Sequence, residues 1–60
     1  MDGFMVGDRV RLYPSQRLGT VVAYPEMGEY PVQFDDEPDE VYYCFAEDLE
    51  RDIKGHLYTA

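Results

Sequence analysis

The stretch Gly7–Tyr24, GDRVRLYPSQRLGTVVAY, holds two short apolar runs parted by a turn, and its period decides the fold class. In the first run Val10 and Leu12 alternate with Arg9, Arg11 and Tyr13, the period of two expected of a strand with one buried face. Pro14-Ser15-Gln16-Arg17 reads as a loop. The second run, Leu18 to Tyr24, is β-branched and apolar, with Gly19 marking a bulge or a close backbone approach. No helical period runs through either segment.

The pattern continues outward. Pro25-Glu26-Met27-Gly28-Glu29 reads as a hairpin connection of the three-to-five-residue kind that uses a glycine. Tyr30 to Phe34 is a third strand with Val32 and Phe34 inward, and Pro31 suits an edge or a strand beginning. Asp35 to Glu40 is an acidic turn. In the fourth strand, Val41 to Phe45, Val41, Tyr43 and Phe45 share one face, taken as the core side, and Tyr42 and Cys44 share the other. Ala46 to Arg51 is too short for a free helix, so a single 3-10 or α turn plugged into the core by Leu49 is expected. Asp52 to Tyr58 forms a short last strand around Ile53 and Leu57. Short strands at this spacing, with one helical turn and no helix, make an all-β small barrel, and full closure would remove exposed strand edges.

Composition narrows what such a barrel does. With 60 residues the chain is one domain, residues 1–60 with a core over 6–58, and has little room for an active-site cavity. Thirteen acids against five Lys and Arg give a net charge of −8, which repels phosphate backbones and anionic lipid. Nine aromatics argue against disorder. The lone Cys44 permits no internal disulfide, which fits a cytoplasmic location, and Cys44 with His56 falls short of a zinc site. Residues 1–6 have neither the basic nor the apolar region of a signal peptide, and no apolar run approaches the about 20 residues of a membrane span. The start at Met1 and the single domain point to a free-standing small bacterial or phage product.

Val6-Gly7-Asp8-Arg9-Val10-Arg11, Leu18-Gly19-Thr20-Val21-Val22, Val32-Gln33-Phe34-Asp35-Asp36 and Glu47-Asp48-Leu49-Glu50 follow one another in an order that resembles the SH3-like barrels of the KOW and Tudor type. The resemblance implies a five-stranded SH3-like barrel acting as a binding module. The opening Val6 to Pro14 also resembles the RNA-polymerase-interaction domains of CarD-like bacterial regulators, which implies a partner in the transcription machinery. Function inferred from fold is analogy.

Candidate functional residues fall in three groups. Tyr13, Tyr24, Tyr30, Tyr42 and Tyr58 sit at strand ends or opposite the core face as read above. Tyr13, Tyr24 and Tyr42 with Asp35 or Asp36 would resemble a Tudor cage for a methylated cation; the other readings are a general aromatic binding surface or covers for the barrel ends. From Glu26 to Asp52 eleven acids face Arg51 alone, whereas residues 1–17 carry three arginines against two aspartates. That polarity is a solubility device, or it steers the domain onto a basic partner or mimics nucleic-acid phosphate. Arg9, Arg11 and Arg17 form the third group, either a small nucleic-acid patch or intramolecular partners of the acidic turn.

Catalysis and metal binding have little support. Cys44 lies mid-strand with no cationic neighbour in sequence to lower its pKa, and His56 has no nucleophile beside it. Asp35, Glu37 and Asp39 alternate as in a calcium loop, but Glu40 stands where its glycine belongs and Ala46 where its bidentate acid belongs. The expectation is a non-catalytic protein-interaction module, without cofactor or resident metal, that binds a larger basic protein through Tyr13, Tyr24, Tyr42, Asp35, Asp36 and Asp39. It is a monomer or weak homo-oligomer that touches no membrane. The alternatives are a KOW-like nucleic-acid module using Arg9, Arg11 and Arg17, and self-assembly through an exposed edge strand.

Overall fold

A computed structural model describes residues 3–52 of the chain. It contains five strands, β1 (Arg9–Leu12), β2 (Arg17–Val21), β3 (Glu29–Phe34), β4 (Tyr42–Phe45) and β5 (Leu49–Arg51), with a 3-10 turn at Ala46–Asp48. All pairs are antiparallel, in the order β4-β3-β2-β1-β5, and the sheet curls into a half-barrel that fits a small SH3-like barrel. The inner face carries Val10, Val21, Val32 and Phe34, all but fully buried, together with Tyr30, Cys44 and Leu49. Each fully buried side chain contributes about 1.5–3 kcal/mol before conformational entropy is set against it.

Local sequence accounts for the curl. Gly19 pairs with Val10 on one side and Phe34 on the other. A Cβ there would lie 2.7 Å from Gln33 O and 2.8 Å from Val32 Cγ1, so only glycine lets β3 come this close. Glu26 and Glu29 exchange two backbone hydrogen bonds of 2.9 Å around Met27 and Gly28, both at positive φ. This hairpin loop has two residues, shorter than the three to five expected from sequence because Glu26 and Glu29 pair, and it has the φ signs of a type I′ turn, with Met27 where asparagine is favoured. Leu49 enters the core directly after the 3-10 turn, as the sequence pattern predicts.

Several details of the strands and their edges differ from the sequence-based expectations. Arg17 belongs to β2, opposite Leu12, rather than to the preceding loop, and β2 ends at Val21. Pro31 sits in an interior strand. Val22 N–H donates to its carbonyl (3.0 Å), so Pro31 turns toward β2, and with no N–H to return the bond it ends the β2–β3 ladder at the Val21–Val32 pair. Tyr30 is buried, because Phe4 stacks edge-on against its ring at 5.3 Å and Phe4 N–H donates to its hydroxyl (3.1 Å). The last described strand is Leu49–Arg51, recruited by the open side of β1; of the expected strand at 52–58 only Asp52 lies within the described residues, and it is not in a strand. Finally, among the described residues the sheet does not close. Consecutive β4 and β5 are joined by the 3-10 turn instead of pairing, which leaves both as edges.

Candidate functional site

Charge is organised first by the arginines. Arg9 on the outer face of β1 grips Asp35 with both terminal nitrogens (2.8 and 2.6 Å), and one of these also donates to Thr20 Oγ1 (2.9 Å). Arg17 reaches Asp36 (2.9 Å) and Glu37 (3.2 Å) while its guanidinium lies 4.2 Å above the Phe34 ring and 5.6 Å from that of Tyr42. Tyr42 O–H donates to the same Glu37 oxygen (2.9 Å). Arg11 pairs with Asp52 (3.4 Å), and Arg51 pairs with Asp8 (3.0 Å) and donates to Gly3 O (3.3 Å). Every arginine among the described residues is therefore held by an acid of the same chain. The Arg9 bond keeps the Asp35 carboxyl below its ordinary value, and the Glu37 bond pushes the Tyr42 phenol up.

These contacts place the residues singled out from sequence. Asp35, Asp36, Tyr42, Arg9 and Arg17 come together around the turn after β3, as the intramolecular reading of the arginines expects; Arg11 goes elsewhere, to Asp52. Tyr13 hydrogen-bonds Glu50, and Tyr24 projects from the β2–β3 connection, 80% exposed. Tyr13, Tyr24 and Tyr42 make no ring contact with one another; the ring pairs among the described residues are Phe4–Tyr30 and Phe34–Tyr42. Asp39 is exposed and has no ion-pair partner among the described residues.

Strand β4 faces the opposite way from the expectation. Tyr42 and Cys44 lie opposite Val32 and Tyr30, whose side chains point into the core. Cys44 is buried, and the Tyr42 ring packs on Phe34 at 5.8 Å. Tyr43 and Phe45 therefore point outward, 57% and 52% exposed, and Val41 just before the strand is also exposed. No signal of hydrophobicity separates the two parities, since both are apolar. The usable signal is Cys44, because free cysteine is among the most buried residue types.

An acidic border surrounds this outer face. Glu29 is the cross-strand partner of Phe45, and Glu26, Glu29 and Met27 form a shallow depression with Tyr43. Among the described residues neither glutamate has an ion-pair partner, and Met27 is 98% exposed. Along the other flank of β4 runs a cleft of about 280 Å³. Phe34, Cys44 and Leu12 are its apolar, core-side lining, and the whole of β4 from Tyr42 to Phe45 runs along it, with Arg17 and Asp48 beside it. Burial, reinforced by the charge of Asp48, pushes the Cys44 thiol up, which disfavours the thiolate. Among the described residues no group of three or more His, Cys, Asp or Glu is placed to hold a metal ion, and no helix is long and apolar enough to cross a membrane. His56 lies outside the described residues.

No protein-family model matches the chain, and no curated protein or solved structure does.

Proposed function

We propose that this domain is a non-catalytic protein-interaction module whose acidic, aromatic β4 face takes a basic segment of a larger protein. One observation carries the reading: all the described arginines are internally paired, whereas Tyr43, Phe45 and Met27 stand exposed beside Glu26 and Glu29, which have no ion-pair partner among the described residues. Aromatic rings next to carboxylates suit lysine and arginine, whose stems cover the rings while their charges meet the acids. Net charge −8 adds attraction over longer range and speeds encounter with such a partner. In this reading Tyr24 and Asp39 extend the surface, while Asp35, Asp36 and Tyr42 keep the arginines and the turn in place. The transcription machinery, suggested by the resemblance to CarD-like domains, is one source of basic partners. A nucleic-acid role is less well supported, because Arg9, Arg11 and Arg17 would first have to leave their carboxylates.

Titration with a lysine-rich peptide, followed by amide chemical shifts, tests the proposal. Shifts should centre on Tyr43, Phe45, Glu26 and Glu29, and should weaken as salt rises. Tyr43→Ala with Phe45→Ala should abolish them and leave the fold intact. Shifts centred on Asp35 and Asp36 would move the site to the turn.

A further inference from the structure

We infer that the partner segment binds as an added antiparallel strand on the open edge of β4, an inference that rests on the basic-partner reading above. The register requires β4 to be receptive. Because the Pro31 carbonyl is turned to β2 and accepts from Val22, the Pro31–Tyr43 pair exchanges no hydrogen bonds across β3 and β4. By the same alternation Tyr30–Cys44 and Val32–Tyr42 are the bonded pairs, and the backbone groups of Tyr43 and the N–H of Phe45 face away from β3. Among the described residues no strand lies on that side. The edge also lacks the usual guards: β4 carries no proline, no charge and no bulge, and its outward side chains are Tyr43 and Phe45.

The two faces of the edge specify the sequence that fits. A residue opposite Tyr43 or Phe45 in the added strand shares their outer face, beside Glu29 and the Glu26–Met27 depression. Lysine or arginine belongs there. The alternate residues point to the inner side, into the cleft floored by Leu12, Phe34 and Cys44, whose about 280 Å³ suits small aliphatic side chains. The matching segment is therefore extended, with basic and aliphatic residues alternating. A second copy of this chain is the wrong occupant, because pairing β4 with β4 would bring together two domains of charge −8 with a Glu29 beside each Phe45.

The test uses the full chain and the peptide Lys-Val-Lys-Val-Lys-Val-Lys. In the free protein the Tyr43 and Phe45 amides should exchange with solvent faster than those of Tyr42 and Cys44, and saturating peptide should slow both by about tenfold or more. Methylating the nitrogens of the two central lysines removes the N–H groups that face β4 and should weaken binding about tenfold, the loss of two strand hydrogen bonds. Methylating two valine nitrogens, which point away from β4, should change affinity little, and a Glu-Val peptide should not bind. Equal binding of both methylated peptides, without protection of Tyr43 and Phe45, would overturn strand addition while leaving recognition of basic segments intact. Failure of every lysine peptide at low salt would overturn that recognition as well. Protection of Tyr43 and Phe45 without peptide overturns the inference too: if independent of concentration, residues 53–60 cover the edge; if concentration-dependent, a second copy does.

Discussion

The two edges of this sheet are built on opposite plans. At β5 the strand is three residues long, Glu50 accepts from Tyr13 and Arg51 is bound to Asp8 and lies 5.3 Å over the Phe4 ring. Arg11 on the neighbouring strand is tied to Asp52, and Asp52 N–H donates to Arg9 O (2.9 Å). Short length, charge and side-chain cross-links are the means by which natural sheets discourage added strands. β4 is one residue longer and its Tyr42 is tied to Glu37, but it carries no charge of its own, and the two large aromatic side chains of Tyr43 and Phe45 lie in the open. A chain able to guard one edge so thoroughly and carrying thirteen acids leaves β4 bare, and this contrast is what a binding role for β4 explains.

The largest expected effect breaks both edges together. Phe34 is buried in the core, floors the cleft beside β4 and carries the Arg17 guanidinium on its ring. Phe34→Ala should cost about 3–5 kcal/mol, as much as a domain this small has to lose. Urea unfolding followed by circular dichroism should lose its cooperative transition; survival of a full transition would mean that the core depends less on Phe34 than its burial indicates. Next comes conversion of one edge into the other. Tyr43→Lys with Phe45→Lys gives β4 the charged character of β5 and should reduce lysine-peptide affinity by about tenfold or more, with stability changing by no more than about 0.5 kcal/mol because both side chains are half exposed. Undiminished binding, measured by fluorescence anisotropy, would end the functional distinction between the edges.

Legibility in the sequence follows the same divide. In Arg9–Leu12 and Tyr30–Phe34 the placement of Val10, Val32 and Phe34 follows from a period of two, and Gly19 marks a real close approach. These are positions where local pattern and tertiary burial agree. Val41 to Phe45 is apolar on both parities, so hydrophobicity cannot orient it; its facing is set by register against β3, a long-range property. Leu49-Glu50-Arg51 has a single apolar residue and becomes a strand because β1 offers it a partner. The pairing of Arg9 and Arg17 with the acidic turn is readable from charge alone. The choice of Asp52 by Arg11 is not, since it depends on where β5 ends. The candidate site is thus the least readable part: its acids are plain in composition, but the aromatic face they border depends on strand orientation.

The hairpin loop beside β4 sharpens the comparison in the stabilising direction. Met27 has a φ of +53° and is 98% exposed, so its side chain gains nothing from the core while its backbone is strained. Met27→Asn, which supplies the preferred Asn-Gly pair, should stabilise the domain by about 0.5–1 kcal/mol in thermal or urea unfolding. If the methionine contributes its apolar surface to the β4 site, the same variant should bind lysine peptide more weakly. A variant that gains stability and keeps full affinity would confine the site to Tyr43 and Phe45.

The smallest effect concerns the acidic turn and asks whether its aspartates belong to the fold or to the partner. The bond from Arg9 holds the folded Asp35 carboxyl below its ordinary value of 3.8. Stability from this pair is therefore present above that value and disappears as pH falls through the depressed folded value. The Asp35 side chain is 53% exposed, so the contribution is discounted for solvent screening to about 0.2–1 kcal/mol. Asp35→Asn should flatten the acid limb of a stability–pH curve by that amount, and 0.5 M salt should shrink the difference between variant and parent. Asp35→Asn should bind lysine peptide within about twofold of the parent, a change of under 0.5 kcal/mol. A large loss of affinity in Asp35→Asn would give that carboxylate to the partner, and the ion pair with Arg9 would then be what binding has to break.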